Sequence, residues 1–216
     1  MGILIILEVL GLLLLETSIA RYAHYWKQTA QQSGTYTYVA LGDSVAQGVG
    51  TTRIDFAYVN LIAQRVHEAT GKTVRIINLS VSGAKVQDVI DKQLPQLKNY
   101  HPDLVTLDIG GNDISSFNGE KFSNQFDQLA AQLPPGSFVA TIPFFGGRVQ
   151  SSKDAPHASS IIRQTVNRYG LNLVNLQSET QTRQSPLNYS FDYFHPSNQG
   201  HKIWRDAFMK AIAPTL

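Results

Sequence analysis

The chain has 216 residues, 43% of them hydrophobic and 16% charged, with a formal net charge of +2. That composition suits one domain with a real core, and the Lys and Arg are too scattered to form the basic stripe that nucleic acid demands, so no nucleic-acid partner is expected. The absence of cysteine excludes disulfides, thiolate catalysis and Cys-ligated metal. With no H-x-x-x-H or similar ligand pair either, neither a metal nor a cofactor is expected.

In chain order, residues 3–15 are apolar apart from Glu8, and Glu16-Thr17-Ser18-Ile19-Ala20 and then Arg21 follow. The run is shorter than the roughly 20 residues that span a bilayer, and Ser18 and Ala20 are small residues of the kind found before a cleavage site. Residues 1–20 therefore read as a signal peptide or membrane anchor. On that reading the protein is exported, secreted or anchored at the cell envelope, and residues 3–15 supply any membrane association. Glu8 and the lack of Lys or Arg ahead of the run point the other way, to a helix packed on the domain. Residues 21–35, ending in Gln31-Gln32-Ser33-Gly34, read as a polar linker into a domain covering 36–216.

Within that domain, short β-branched or aromatic runs at 36–41, 74–79, 104–109, 138–142 and 171–176 predict strands. Helical patterns at 56–69, 86–97, 121–133, 158–169 and 198–212 separate or follow them, with Pro95 expected to end or kink the second. Strands alternating with helices predict a parallel sheet covered on both faces.

The residues after each strand carry the chemistry. Gly42-Asp43-Ser44 follows the first, "NLSVSGAK" with Gly83 the second, and "IGGND" with Asn112 and Asp113 the third. In a parallel sheet these all fall on one rim, the rim where ligands bind. A serine there is a nucleophile or a turn residue. Farther along, "DYFHPSNQGH" places Asp192 three residues before His195, a spacing that can set a carboxylate beside Nδ1 and leave Nε2 free to take a serine proton. Backbone N–H groups at Ser44 and Gly83 and the Asn112 amide are the natural donors to an oxyanion. Asp43 and Asp113 are expected to serve turns or caps, and the remaining histidines to lie at the surface or in the core. In the segment 143–154 after the fourth strand, Phe144, Phe145 and Arg148 could shape a substrate pocket, or form an ordinary loop.

These four blocks, "GDS", the glycine at 83, "GGND" and "DYFHP", in this order, resemble the SGNH hydrolase (GDSL esterase/lipase) superfamily over residues 36–212. The resemblance implies a flavodoxin-like three-layer α/β/α sandwich with a five-stranded parallel sheet. It implies Ser44 as nucleophile, His195 as general base and acid, Asp192 as its orienting partner, and Ser44, Gly83 and Asn112 as the oxyanion hole. The activity implied is a serine hydrolase acting on carboxylic esters of small acyl, lipid or acetylated glycan substrates through an acyl-enzyme. Val45 stands where the name-giving motif has leucine, and Ala46 two residues after the serine departs from the G-x-S-x-G elbow. An acyltransferase using the same triad, or a flavodoxin-like binding module without catalysis, are the alternatives.

Overall fold

A computed structural model describes residues 2–148 and 152–216, without the side chains of 2–10 and 12–14. Strand β1 (Tyr36–Gly42) turns Val39 and Leu41 to one face and Tyr38 and Ala40 to the other, and all four are fully buried. A strand apolar on both faces belongs inside a parallel sheet. β1 pairs in parallel with β2 (Val74–Asn78) and β3 (Leu104–Asp108), and β4 (Phe138–Ala140) and β5 (Asn172–Val174) extend the sheet beyond β3. The order β2-β1-β3-β4-β5 is the flavodoxin-like one, with its switch point between β1 and β3.

Eight helices are used below. In chain order they are α1 (Gly2–Thr29), α2 (Ser44–Gln47), α3 (Tyr58–Thr70), α4 (86–97), α5 (Gly119–Ala130), α6 (Ala155–Arg168), α7 (Leu176–Thr182) and α8 (Asn198–Ile212). Apolar residues of α4, α5 and α6 pack on Val39, Leu41, Leu107 and Val139, while α1, α3 and α8 cover Tyr38, Ala40, Phe138 and Ala140. Each fully buried ring, such as Phe126 below and Phe208 above, contributes about 1.5–3 kcal/mol through its removal from water. This is the predicted α/β sandwich. β4 and β5 stop sooner than predicted, and α7 was not anticipated. Asn175 ends the last strand because its side chain accepts from Ser178 N and starts α7.

Residues 21–35 are not a linker throughout, because α1 continues to Thr29. Ser18, Tyr22, Trp26 and Thr29 form one buried face, and Arg21, His24, Lys27 and Gln28 face water. Averaging over both faces gives a polar composition, which is why the segment reads as a linker. The indole N–H of Trp26 donates to Gln47 O at 2.9 Å, Tyr22 OH donates to Thr51 O at 3.0 Å, and Arg75 donates twice to Ala30 O. The apolar run at 3–15 belongs to the same helix. Among the described residues no helix is long and apolar enough to cross a membrane.

Candidate active site

The turn that carries Ser44 is built from the core outward. At Gly42 φ is +149°, and a Cβ there would lie 2.3 Å from Asp108 O, so only glycine lets β1 and β3 close up at this level. The Gln93 side chain clamps the same residue, donating to Gly42 O at 2.7 Å and accepting from Gly42 N at 2.9 Å. Gln93 is fully buried and closes the π-helical turn Val89–Gln93, a widened turn of the kind that often accompanies functional sites. The expected disturbance at Pro95 takes this form. Asp43 then caps α2 by accepting from Val45 N at 3.0 Å. Ser44 opens α2 with its own N–H lacking an intrahelical acceptor, and it is 3% exposed.

The structure brings Ser44, His195 and Asp192 together. Ser44 Oγ lies 2.9 Å from His195 Nε2, and His195 Nδ1 lies 2.5 Å from Asp192 Oδ2. An ionised carboxylate can only accept, so Nδ1 carries the proton and donates to Asp192, leaving Nε2 to accept from the serine hydroxyl. Asp192 Oδ1 also accepts from Phe194 N and His195 N at 3.1 and 3.0 Å. Burial alone would raise the Asp192 pKa, but the His195 bond and charge and these two amides outweigh it and hold the carboxyl below its ordinary range. The loop closes on itself, with Ser190 N donating to His195 O and Tyr193 N to Ser190 O. Tyr193 takes φ +54°, a left-handed conformation that costs a bulky residue about 1–3 kcal/mol. On its other side the loop meets Gly50, where a Cβ would lie 2.3 Å from Pro196 O and 3.0 Å from His195 Cβ.

The three expected oxyanion donors lie on the same rim. Gly83 has φ +79° and open space where a Cβ would be, so backbone conformation, not crowding, calls for glycine here. The Asn112 amide donates to Ala84 O at 2.9 Å and to Asp43 Oδ2 at a longer 3.3 Å. Asp113 accepts from Val86 N, and burial raises its pKa to about 6. Behind them Asp43 and Asp108 are pushed up, chiefly by burial; Asp108 adds repulsion at Asp43, while the Trp204 N–H, 2.9 Å from Asp108 Oδ2, opposes the shift there.

The remaining pocket residues separate. Phe145 is buried, stacks on Phe194 with centroids 6.1 Å apart, and lines a cavity of about 30 Å³ with Asp43, Asp108, Tyr189 and Trp204. That is room for one or two waters, not an acyl chain. Arg148 does not line this cavity but lies 3.5 Å over the ring of Tyr189, which does. Phe144 is half-buried and tied through its backbone N–H to Thr180. Residues 149–151 of this segment lie outside the described residues. His201 is a core residue: Nδ1 accepts from Tyr58 N, Nε2 donates to Val49 O, and burial drops its pKa to about 3. Sequence reasoning missed Gln93, Trp204, Tyr22 and Trp26; of these, the spacing of Ser18, Tyr22, Trp26 and Thr29 was the available signal.

Comparisons with known proteins bear on the family and the fold. A family model described as the GDSL-like Lipase/Acylhydrolase family matches residues 40–203. A protein named Lipase 2 from Streptomyces coelicolor is 35% identical over 102 residues, covering 41% of this chain and 33% of that relative, so the matched part spans about a third of its length. A lipase/acylhydrolase from Enterococcus faecalis superposes with a TM-score of 0.72 at 19% identity, over 84% of this chain and 97% of the other. An acetyl xylan esterase from Geobacillus stearothermophilus does so with 0.68 at 20%, over 83% and 95%. At these identities the two structures speak for a shared fold.

Proposed function

Because the chain belongs to the GDSL-like lipase/acylhydrolase family, we propose that it is a serine hydrolase that cleaves carboxylic esters through an acyl-enzyme. The observation that carries the reading is the continuous hydrogen-bonded line from Ser44 Oγ through His195 to Asp192. In the proposed reaction Ser44 Oγ attacks the ester carbonyl while its proton passes to Nε2. Asp192 stabilises the imidazolium, and the same proton then goes to the leaving alkoxide. Water attacks the acyl-serine in the second half, with His195 as base again. The oxyanion bonds to the N–H groups of Ser44 and Gly83 and to the Asn112 amide. Asn112 is already aimed by Ala84 O, and the weaker bond to Asp43 is the one it gives up.

Candidate substrates are small acyl, lipid or acetylated glycan esters. Hydrolysis of p-nitrophenyl esters of increasing chain length, set beside release of acetate from acetylated polysaccharide, ranks them. Fluorophosphonate should label Ser44, and Ser44→Ala should abolish labelling and lower kcat by roughly 10⁴–10⁶-fold with the fold intact. Labelling at another residue, or activity near wild type in Ser44→Ala, would overturn the reading. The envelope localisation belongs to the same proposal, with α1 as an uncleaved anchor. Cutting after Ala20 would sever a helix whose Ser18 and Tyr22 are both buried against the domain.

A further inference from the structure

Helix α1 runs down the outside of the sheet against the strand direction. At its lower end Ala30 is held by Arg75, which pairs with Thr37 at the start of β1. At its upper end Gly11 lies against the loop that carries His195, where a Cβ would come 2.6 Å from the Phe191 ring. Residues 2–10 therefore continue past the rim that bears Ser44 and His195. At about 1.5 Å per residue they project roughly 13 Å, close to the thickness of one leaflet's hydrocarbon, about half of ~30 Å. Apart from Glu8, residues 3–15 are apolar at every position of the helical turn. A protein groove takes one apolar stripe, whereas lipid accepts a helix apolar all round.

The rim agrees with the helix. Among the described residues five large hydrophobic side chains are exposed: Val81 (47%), Leu187 (79%), Phe191 (60%), Tyr193 (63%) and Leu216 (40%). Three of them fall within seven residues of the loop leading to His195, and Val81 stands beside Gly83. Only Leu216, at the C-terminus, is away from the catalytic rim. Exposed apolar groups gathered at one end of a fold mark a contact surface, and here the surface is continuous with the apolar end of α1.

We propose that the upper end of α1 and the apolar rim dock together on a lipid bilayer, with the catalytic mouth facing the membrane, so that the substrate is an acyl ester carried in the bilayer. The substrate class rests on the ester-hydrolase reading; the docking does not. The test uses the full chain with Leu187→Trp, since Leu187 is exposed and the native Trp26 and Trp204 are 3% and 2% exposed. With phosphatidylcholine vesicles the variant should float with the lipid. Brominated phosphatidylcholine should quench its emission at least twofold more than that of the wild type. No flotation, or flotation without the extra quenching, would overturn the proposal, the latter because the mouth would then face away from the membrane. In a second variant, Leu187→Glu with Phe191→Glu, kcat/KM should fall at least tenfold more for a vesicle-embedded p-nitrophenyl ester than for soluble p-nitrophenyl acetate. Equal effects on both would overturn the membrane-borne substrate. Flotation and quenching of Leu187→Trp with and without Ser44→Ala separate the two readings: docking in both, with no hydrolysis where Ser44 is retained, would fault the catalytic assignment alone.

Discussion

The two halves of the Ser44–His195–Asp192 line are held in opposite ways. Ser44 is placed by buried groups drawn from the whole fold: the Gln93 clamp on Gly42, the Asp108 carbonyl against the same glycine, and Trp26 on Gln47 O. His195 hangs on a surface loop that organises itself, through Asp192 Oδ1 and the Ser190–His195 backbone bond, with exposed Phe191 and Tyr193 on its outer side. In the proposed reaction a nucleophile fixed by the core and a base fixed by local bonds would divide the work: the first needs rigidity, and the second must swing a proton between two oxygens.

The sharpest way to break that contrast is at the loop's own organiser. Asp192→Asn keeps an oxygen for the amides of Phe194 and His195 but loses the acceptor for Nδ1–H, so kcat should fall about 10⁴-fold while the melting temperature barely moves. A large stability loss instead would mean that the loop depends on the carboxylate for its fold. Next in size, Asn112→Ala should lower kcat by about 10²–10³-fold with KM nearly constant, because the amide acts on the oxyanion and not on the ground-state ester. A rise in KM alone would move Asn112 to substrate binding.

His201, on α8, pins the two halves together, bridging Val49 O behind the Ser44 turn and Tyr58 N at the start of α3. Its folded pKa of about 3 lies below the ordinary 6.5, so the unfolded chain binds the extra proton between these values. Its stabilising effect is complete above pH 6.5 and is lost as pH falls toward 3, by about 1.4 kcal/mol per pH unit. The raised carboxyls of Asp43, Asp108 and Asp113 act in the opposite direction over about pH 4–7. His201→Gln removes only the first effect, so its melting temperature should gain on that of the wild type between pH 7 and pH 4. A gap that does not change with pH would show that His201 does not titrate on unfolding. The smallest effect belongs to Trp26→Phe, which leaves Gln47 O unpaired: about 1 kcal/mol, or about 2–4 °C for a chain of this size, measured by calorimetry. A much larger loss would make α1 part of the core and not a brace upon it.

What the sequence disclosed follows the same division. The His195 loop is local, and "DYFHP" displays its carboxylate, its imidazole and the proline that ends the turn within five positions. Ser44, Gly83 and Asn112 were legible because a parallel sheet delivers every strand end to one rim. The supports of Ser44 were not. Gln93 meets Gly42 from 51 residues away and Trp204 meets Asp108 from 96, and a single polar or aromatic side chain at such range leaves no periodic trace. The docked part of α1 was hidden for another reason, since its buried face is made of Ser, Tyr, Trp and Thr, types that composition counts as half-polar. Arg148 and Phe145 were placed near the site by the topology of the fourth strand, but their packing on Tyr189 and Phe194 depends on a loop whose path only the folded chain defines.

Ser44 and His195 stand 151 residues apart along the chain, and closing so long a loop is the slow kind of contact in folding. The segments of β1 to β4 are therefore all synthesised before His195. Every shorter product, whether a stalled chain or one clipped before Asp192, carries the proposed nucleophile and lacks the proposed base to activate it. On the proposed function the reactive pair comes into being only when the segment from Asp192 onward is in place, so the order of synthesis itself would keep the unfinished polypeptide inert.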